Sequence, residues 1–167
     1  HREFPPGLDQ IRVSSSPRYR GTSLFTFLLP HIEQGSLLAD WDYDFPLNNT
    51  RGGAAARSAT ILPFLLCPSD MIVKNPTVID GRYYGVTSYG GNGGTRSLHP
   101  RVAACDGIFY TTGPASEPEP DQRPVKISMV LDGTSQTILF GERDHYDRNY
   151  ETFATAGWVV SLELFGT

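Results

Sequence analysis

Asp132, Glu142, Asp144, His145 and Asp147 lie close enough in sequence to share a hard cation or to run acid–base chemistry. Asp70, Asp80 and Asp106 add carboxylates at expected turns. Calcium takes several oxygen ligands, often from one loop. No Asp-x-Asp-x-Asp-Gly pattern appears, which excludes an EF-hand-type loop. Asp80-Gly81 and Asp132-Gly133 are also ordinary turn dipeptides, in which the carboxylate bonds its own backbone. Turn chemistry accounts for most of these aspartates. Calcium remains the one cofactor to test, with no metal ligands assigned and no other cofactor expected.

Nucleophilic catalysis has less to stand on. There is no Gly-x-Ser-x-Gly elbow. Cys67 could be paired with His31, His99 or His145 only through spatial adjacency, which the sequence does not show. Cys67 ends an apolar run and precedes Pro68, the setting of a buried structural cysteine rather than an activated thiolate. The histidines lack the HExxH spacing of a zinc enzyme. Gly90-Gly91-Asn92-Gly93-Gly94 lacks the Lys-Ser/Thr of a phosphate loop and reads as a tight turn. Tyr83, Tyr84, Tyr89, Tyr110, Tyr146, Tyr150 and Trp158 could stack on sugars, although aromatics at strand positions usually fill a core. Asn48-Asn49-Thr50 fits the glycosylation acceptor pattern. No catalytic residue is assigned, and the chain is not expected to be an enzyme.

The elements that must position these residues follow from composition and pattern. A chain of 167 residues is one domain by length and can bury a core without staples. Its 17 Gly and 13 Pro break it often, favouring short strands over a helical bundle. A net charge of −4 gives no electrostatic reason to expect nucleic acid as a partner. The longest apolar run, residues 61–66, is interrupted by Pro63 and far too short to cross a bilayer. Cys67 and Cys105 lack zinc-ligand spacing. In an exported protein they could form one disulfide, or they could be two separately buried thiols.

Residues 1–19 are rich in Pro and Ser and are expected to be irregular. Thr22 or Ser23 can cap a kinked helix, or two short helices, over residues 22–41. A loop follows at 42–49. A brief helix is expected over 51–59, with Thr50 as its cap, and an apolar strand over 60–67. Further strands are expected at 83–89 and 107–111. Residues 115–124, polar and proline-laden, read as a mobile loop. A short helical turn, an Asp-Gly turn and a strand fill 126–142. That strand would place Thr137, Leu139 and Gly141 on one face and Gln136, Ile138, Phe140 and Glu142 on the other. Residues 158–165 read as a last apolar strand. The expected class is α+β: one domain over 1–167, with short helices packed on a mostly antiparallel sheet.

A series of these motifs resembles a large family of bacterial prepilin-like, major pseudopilin-like proteins, numerous in planctomycete-type bacteria and long filed as a domain of unknown function. The series is Phe4-Pro5-Pro6-Gly7, Leu28-Leu29-Pro30-His31-Ile32-Glu33-Gln34, Leu66-Cys67-Pro68-Ser69-Asp70, Tyr89-Gly90-Gly91-Asn92, and Asp132-Gly133-Thr134-Ser135 running into Gly141-Glu142-Arg143. It spans nearly the whole chain in the family's order. Such proteins begin with a prepilin cleavage and methylation signal on a long hydrophobic helix. The Phe-Pro-Pro-Gly element follows that helix, so the sequence is expected to be a soluble piece whose spine helix has been removed.

The resemblance implies a pilin or pseudopilin head and a structural role in a type IV pilus-like or type II secretion pseudopilus-like filament. Its partners would be other pilin or pseudopilin subunits. The full-length precursor would be anchored in the inner membrane, and the head would lie in the periplasm or outside the cell. Two other functions compete. One is an extracellular polysaccharide-binding module displayed on the same anchor. The other is a secreted hydrolase with paired carboxylates.

Overall fold

In a computed structural model the described residues are 3–12, 19–72, 74–79, 81–94, 105–114, 116 and 119–142. They form an α+β fold of short elements. Strand β1 (Leu8–Arg12) pairs antiparallel with β2 (Tyr19–Ser23), Leu8 opposite Ser23, and parallel with β6 (Thr111–Thr112). Strands β3 (Thr77–Ile79) and β4 (Arg82–Tyr84) make a hairpin, and β5 (Tyr89–Gly91) pairs antiparallel with β7 (Phe140–Glu142). Among the described residues three small sheets thus stand where one sheet was expected.

The one α-helix among the described residues, α1 (Leu24–Leu28), acts as a wedge. Leu24 enters a cluster with Ile108, Phe109 and Val125. Its neighbour Phe25 enters a second cluster with Leu29, Trp41, Leu62, Leu65 and Tyr84. Successive helical residues point about 100° apart, so a helix lying between two clusters feeds both. Ser23 does not cap this helix through a side-chain bond to the backbone; its Oγ lies 3.3 Å from Thr26 Oγ1. The Leu24 amide instead donates to the Gly7 carbonyl, 2.8 Å away. After α1, 3-10 turns at Leu29–Ile32 and Gly35–Leu38 replace a continuous second helix.

Several expectations are corrected. Residues 1–19 are not irregular throughout, because Leu8–Arg12 is the central strand of the three-stranded sheet. Residues 60–67 are not a strand. Pro63 has no N–H to give a ladder, and the chain makes a 3-10 turn at Pro63–Leu65 instead. Leu62 and Leu65, three apart, turn inward, while Ile61 and Phe64 face solvent. Helical periodicity therefore replaces the alternation of a strand. Residues 42–49 include part of a 3-10 turn at Pro46–Thr50. Residues 51–59 make two 3-10 turns, Gly53–Ala55 and Arg57–Ala59. Thr50 does not cap them, since its hydroxyl donates backward to the Leu47 carbonyl. The expected strand at 158–165 lies outside the described residues.

With so little ladder, buried hydroxyls connect the loops. Ser58 Oγ donates to the Tyr83 carbonyl at 2.6 Å. Thr87 Oγ1 donates to the Leu65 carbonyl at 3.1 Å and accepts from the Tyr89 amide at 3.2 Å. In residues 115–124, Ser116 Oγ contacts the Gly113 and Glu119 carbonyls and accepts the Gln122 amide.

Gly107 sits at a tight backbone crossing. A Cβ there would sit 2.2 Å from both Gly93 C and Gly94 N. Those are backbone atoms, so the cost cannot be relieved by a rotamer change. Gly107→Ala should destabilise the protein by about 3 kcal/mol, the upper range for overpacking, read as a lower urea midpoint. Gly141→Ala, with nothing within 4 Å of the added methyl, should stay within about 0.5 kcal/mol of the parent.

Candidate functional site

Three motifs of the family resemblance, Phe4–Gly7, the leucine turn and Tyr89–Asn92, reach the interior, while residues 67–70 and 132–135 lie at or near the surface. Phe-Pro-Pro-Gly is a strap across one end of the cluster of Leu24, Ile108, Phe109 and Val125. The Phe4 amide donates to Val125, and its ring stands edge-on to Phe109 with centroids 6.1 Å apart. The Gly7 amide donates to the Tyr110 carbonyl. A Cβ on Gly7 would lie 2.1 Å from the Phe109 carbonyl oxygen, so only glycine allows this approach. In the second motif Leu29 is fully buried, and its carbonyl accepts the amides of Glu33 and Gln34 to close the turn. His31, Ile32 and Glu33 are left exposed on the knuckle.

The Leu-Cys-Pro-Ser-Asp motif continues from Leu65, whose carbonyl accepts both the Ser88 amide and the Thr87 hydroxyl. Tyr-Gly-Gly-Asn then supplies the centre. The Asn92 amide donates to the Leu139 carbonyl, and Asn92 Nδ2 donates to Ile138 O, each at 2.9 Å. Asn92 Oδ1 accepts the Gly94 amide at 3.0 Å, and its main-chain carbonyl accepts both Ile108 and Phe109 amides, at 2.9 and 2.8 Å. One asparagine thus joins the glycine turn, the 107–111 segment and the closing motif. Gly91 must be small for the same reason, since a Cβ there would meet Leu24 Cδ2 at 2.6 Å and Phe109 Cδ2 at 2.7 Å.

This explains why only Thr111 of the expected strand at 107–111 enters a ladder, as the first residue of β6: the Ile108 and Phe109 amides are already bound to Asn92. The expected strand at 83–89 is likewise divided between β4 and β5. In the closing motif Gly133 adopts φ +83°, as an Asp-Gly turn requires. Turns at Ile127–Met129 and Thr134–Gln136 leave only Phe140–Glu142 in a strand. Leu139 packs on the cluster of Leu24 and Phe109 while Ile138 faces outward, on opposite faces as the alternation predicts. Phe140 departs from that separation, because its ring lies 5.3 Å from that of Phe109.

The candidate chemical residues do not converge. Among the described residues, no group of three or more His, Cys, Asp or Glu side chains could hold a metal ion. Asp132 and Glu142 are both exposed, while Asp80, Asp144, His145 and Asp147 lie outside the described residues. Cys67 and Cys105 are both free thiols in this structure, each half-buried. Cys67 Sγ lies 3.0 Å from Ser69 Oγ, and Cys105 Sγ accepts from Gln122 Nε2. Burial, reinforced by Asp106 and Glu119, pushes the Cys105 thiol up, away from the thiolate a nucleophile needs. His31, the one candidate histidine within the described residues, is exposed at the knuckle. The aromatic set is divided too: Tyr84 is buried, Tyr83, Tyr89 and Tyr110 are half-buried, and Tyr146, Tyr150 and Trp158 lie outside the described residues.

Sequence reading missed the polar knot at residues 42–50. The Asp42 carboxylate accepts the Phe45 amide at 2.6 Å and the Asn48 side chain. Asn49 Oδ1 accepts the Asp42 amide, and Asn49 Nδ2 donates to the Asp42 and Pro46 carbonyls. The acceptor asparagine of the glycosylation pattern, Asn48, is therefore engaged. The bond from Asn48, then that from Phe45, holds the Asp42 carboxyl below its ordinary 3.8. Asp9 goes the other way, raised by burial against a weaker opposing bond from Thr112.

Two predictions follow from these sites. Asn92→Ala removes two side-chain bonds and should cost about 2 kcal/mol, at about 1 kcal/mol per bond, read from denaturation midpoints; Asn92→Asp keeps an acceptor and should cost less. For pH, Asp42 contributes stability that is present above 3.8 and is lost as pH falls through its lowered folded value. Asp9 opposes it, with stability falling as pH rises from 3.8 through its raised folded value. Thermal melts between pH 2 and 7 should therefore show a shallower acid loss for Asp42→Ala and a steeper one for Asp9→Asn.

No curated protein and no solved structure matches the chain. The profile of one family, described as "Protein of unknown function (DUF1559)", matches residues 1–161. With nearly its whole length covered by that match, the chain belongs to the DUF1559 family.

Proposed function

We propose that the chain is the head of a structural subunit in an extracellular filament of the type IV pilus or type II secretion pseudopilus kind, anchored in the inner membrane before assembly. Its partners are other subunits of the same filament, and its work is assembly rather than turnover. The reading rests on the motif series, which is similar to that of prepilin-like proteins from Phe4 to Arg143.

The observation that carries it is how Phe4-Pro5-Pro6-Gly7 is held. Glu3 bridges Lys126, the Phe4 amide bonds Val125, and the Gly7 amide bonds Tyr110. A spine helix joined ahead of this strap would be coupled to the core of the head at three backbone positions instead of through a loose linker. Filament subunits need that coupling, because burying apolar spines in an open helical array fixes each head only if spine and head move together.

The native reading frame tests the class. It should carry a prepilin cleavage motif and about twenty apolar residues immediately upstream of His1; ordinary polar sequence there would overturn the proposal. In cells producing that precursor, electron microscopy should show surface or periplasmic filaments containing the protein. Phe4→Ala should reduce filament number at equal protein level.

A further inference from the structure

Asn92-Gly93 is the one Asn-Gly dipeptide in the chain; Asn48, Asn49, Asn75 and Asn149 precede Asn, Thr, Pro and Tyr. Asparagine before glycine is the pair most open to ring closure, because no Cβ on the second residue hinders the approach of its nitrogen. In that reaction the Gly93 nitrogen gives its proton to solvent and attacks Asn92 Cγ. A new C–N bond forms, the Cγ–Nδ2 bond breaks, and Nδ2 takes up a proton and leaves as ammonia. Water then opens the succinimide at either carbonyl, giving aspartate or isoaspartate. Nothing is oxidised or reduced, and water is the only co-reactant.

The folded chain opposes the first step. Attack comes from above the carboxamide plane, and that plane is fixed at both ends: Nδ2 donates to Ile138 O at 2.9 Å, and Oδ1 accepts the Gly94 amide at 3.0 Å. The main chain is fixed too, since the Asn92 carbonyl holds the Ile108 and Phe109 amides and the Asn92 amide donates to Leu139. Gly93 is buried, away from the hydroxide that would take its proton. Neither product restores these contacts. Aspartate sets an acceptor against the Ile138 carbonyl where Nδ2 donated. Isoaspartate routes the main chain through Cβ and Cγ, and turns the carbonyl that holds Ile108 and Phe109 into a free carboxylate. We propose that Asn92-Gly93 is a latent modification site: the fold suppresses its deamidation, opening of the chain around Asn92 releases it, and isoaspartate blocks the return. The chain thereby carries an irreversible record of having opened. The inference is independent of the filament reading, since it concerns the head alone.

Peptide mass spectrometry of the full chain tests it. Native protein and protein in guanidinium above the unfolding transition are incubated side by side at one mildly alkaline pH. The expected result is amide-to-acid conversion at Asn92 in the unfolded sample, with a native rate lower by about tenfold or more, because reaction follows the open population. Gly107→Ala should raise the native rate by about tenfold or more, while Gly141→Ala leaves it unchanged. Chain converted while unfolded is then returned to buffer, and its isoaspartyl fraction should not regain the parental urea midpoint. A native rate within about tenfold of the unfolded one, a native rate that ignores Gly107→Ala, or an isoaspartyl fraction with the parental midpoint would overturn the proposal.

Discussion

The Asn92 carbonyl accepts two successive amides, those of Ile108 and Phe109, while its side chain and amide hold Ile138 and Leu139. The geometry is available only because Gly107 lets its backbone approach Gly93 and Gly94. These bonds bring together segments far apart in sequence, whose closure entropy must be overcome before any contact rewards it. The consequence is visible in the packing. Phe109 is placed so that Phe4, Leu24, Gly91 and Phe140 close around it, and α1 is fixed between two apolar clusters.

Seen from that node, the motif series describes a folding device. The strap, the leucine turn, the glycine turn and the closing strand each contribute backbone groups or buried side chains to the interior. The described carboxylates and thiols are dispersed, and the Asp42 carboxylate is taken up by its local turn. A small amount of regular ladder is offset by buried Ser and Thr hydroxyls that satisfy carbonyls which a larger sheet would have paired.

Much of this was legible from residues alone. The α+β class, the Asp-Gly turn at 132–133 and the separation of Leu139 from Ile138 came from element pattern, turn chemistry and alternation. The strand at Leu8–Arg12 was hidden because the Pro- and Ser-rich residues around it dominate local composition, and its pairing with Thr111 is non-local. Residues 60–67 misled because an apolar run does not reveal its period until Pro63 is weighed as a missing donor. The role of Asn92 was beyond reach: a Gly-Gly-Asn-Gly-Gly run announces a turn, but not which carbonyls 46 residues away its amide will meet. The two free thiols depended likewise on distances that spacing does not encode.

Native-state hydrogen exchange at the Ile108 and Phe109 amides tests the central role of this node most directly. If the node supports the fold, both amides exchange only through global unfolding, with a free energy equal to that from denaturant titration. Exchange through a local opening far cheaper than global unfolding, with the rest of the protein still protected, would contradict it.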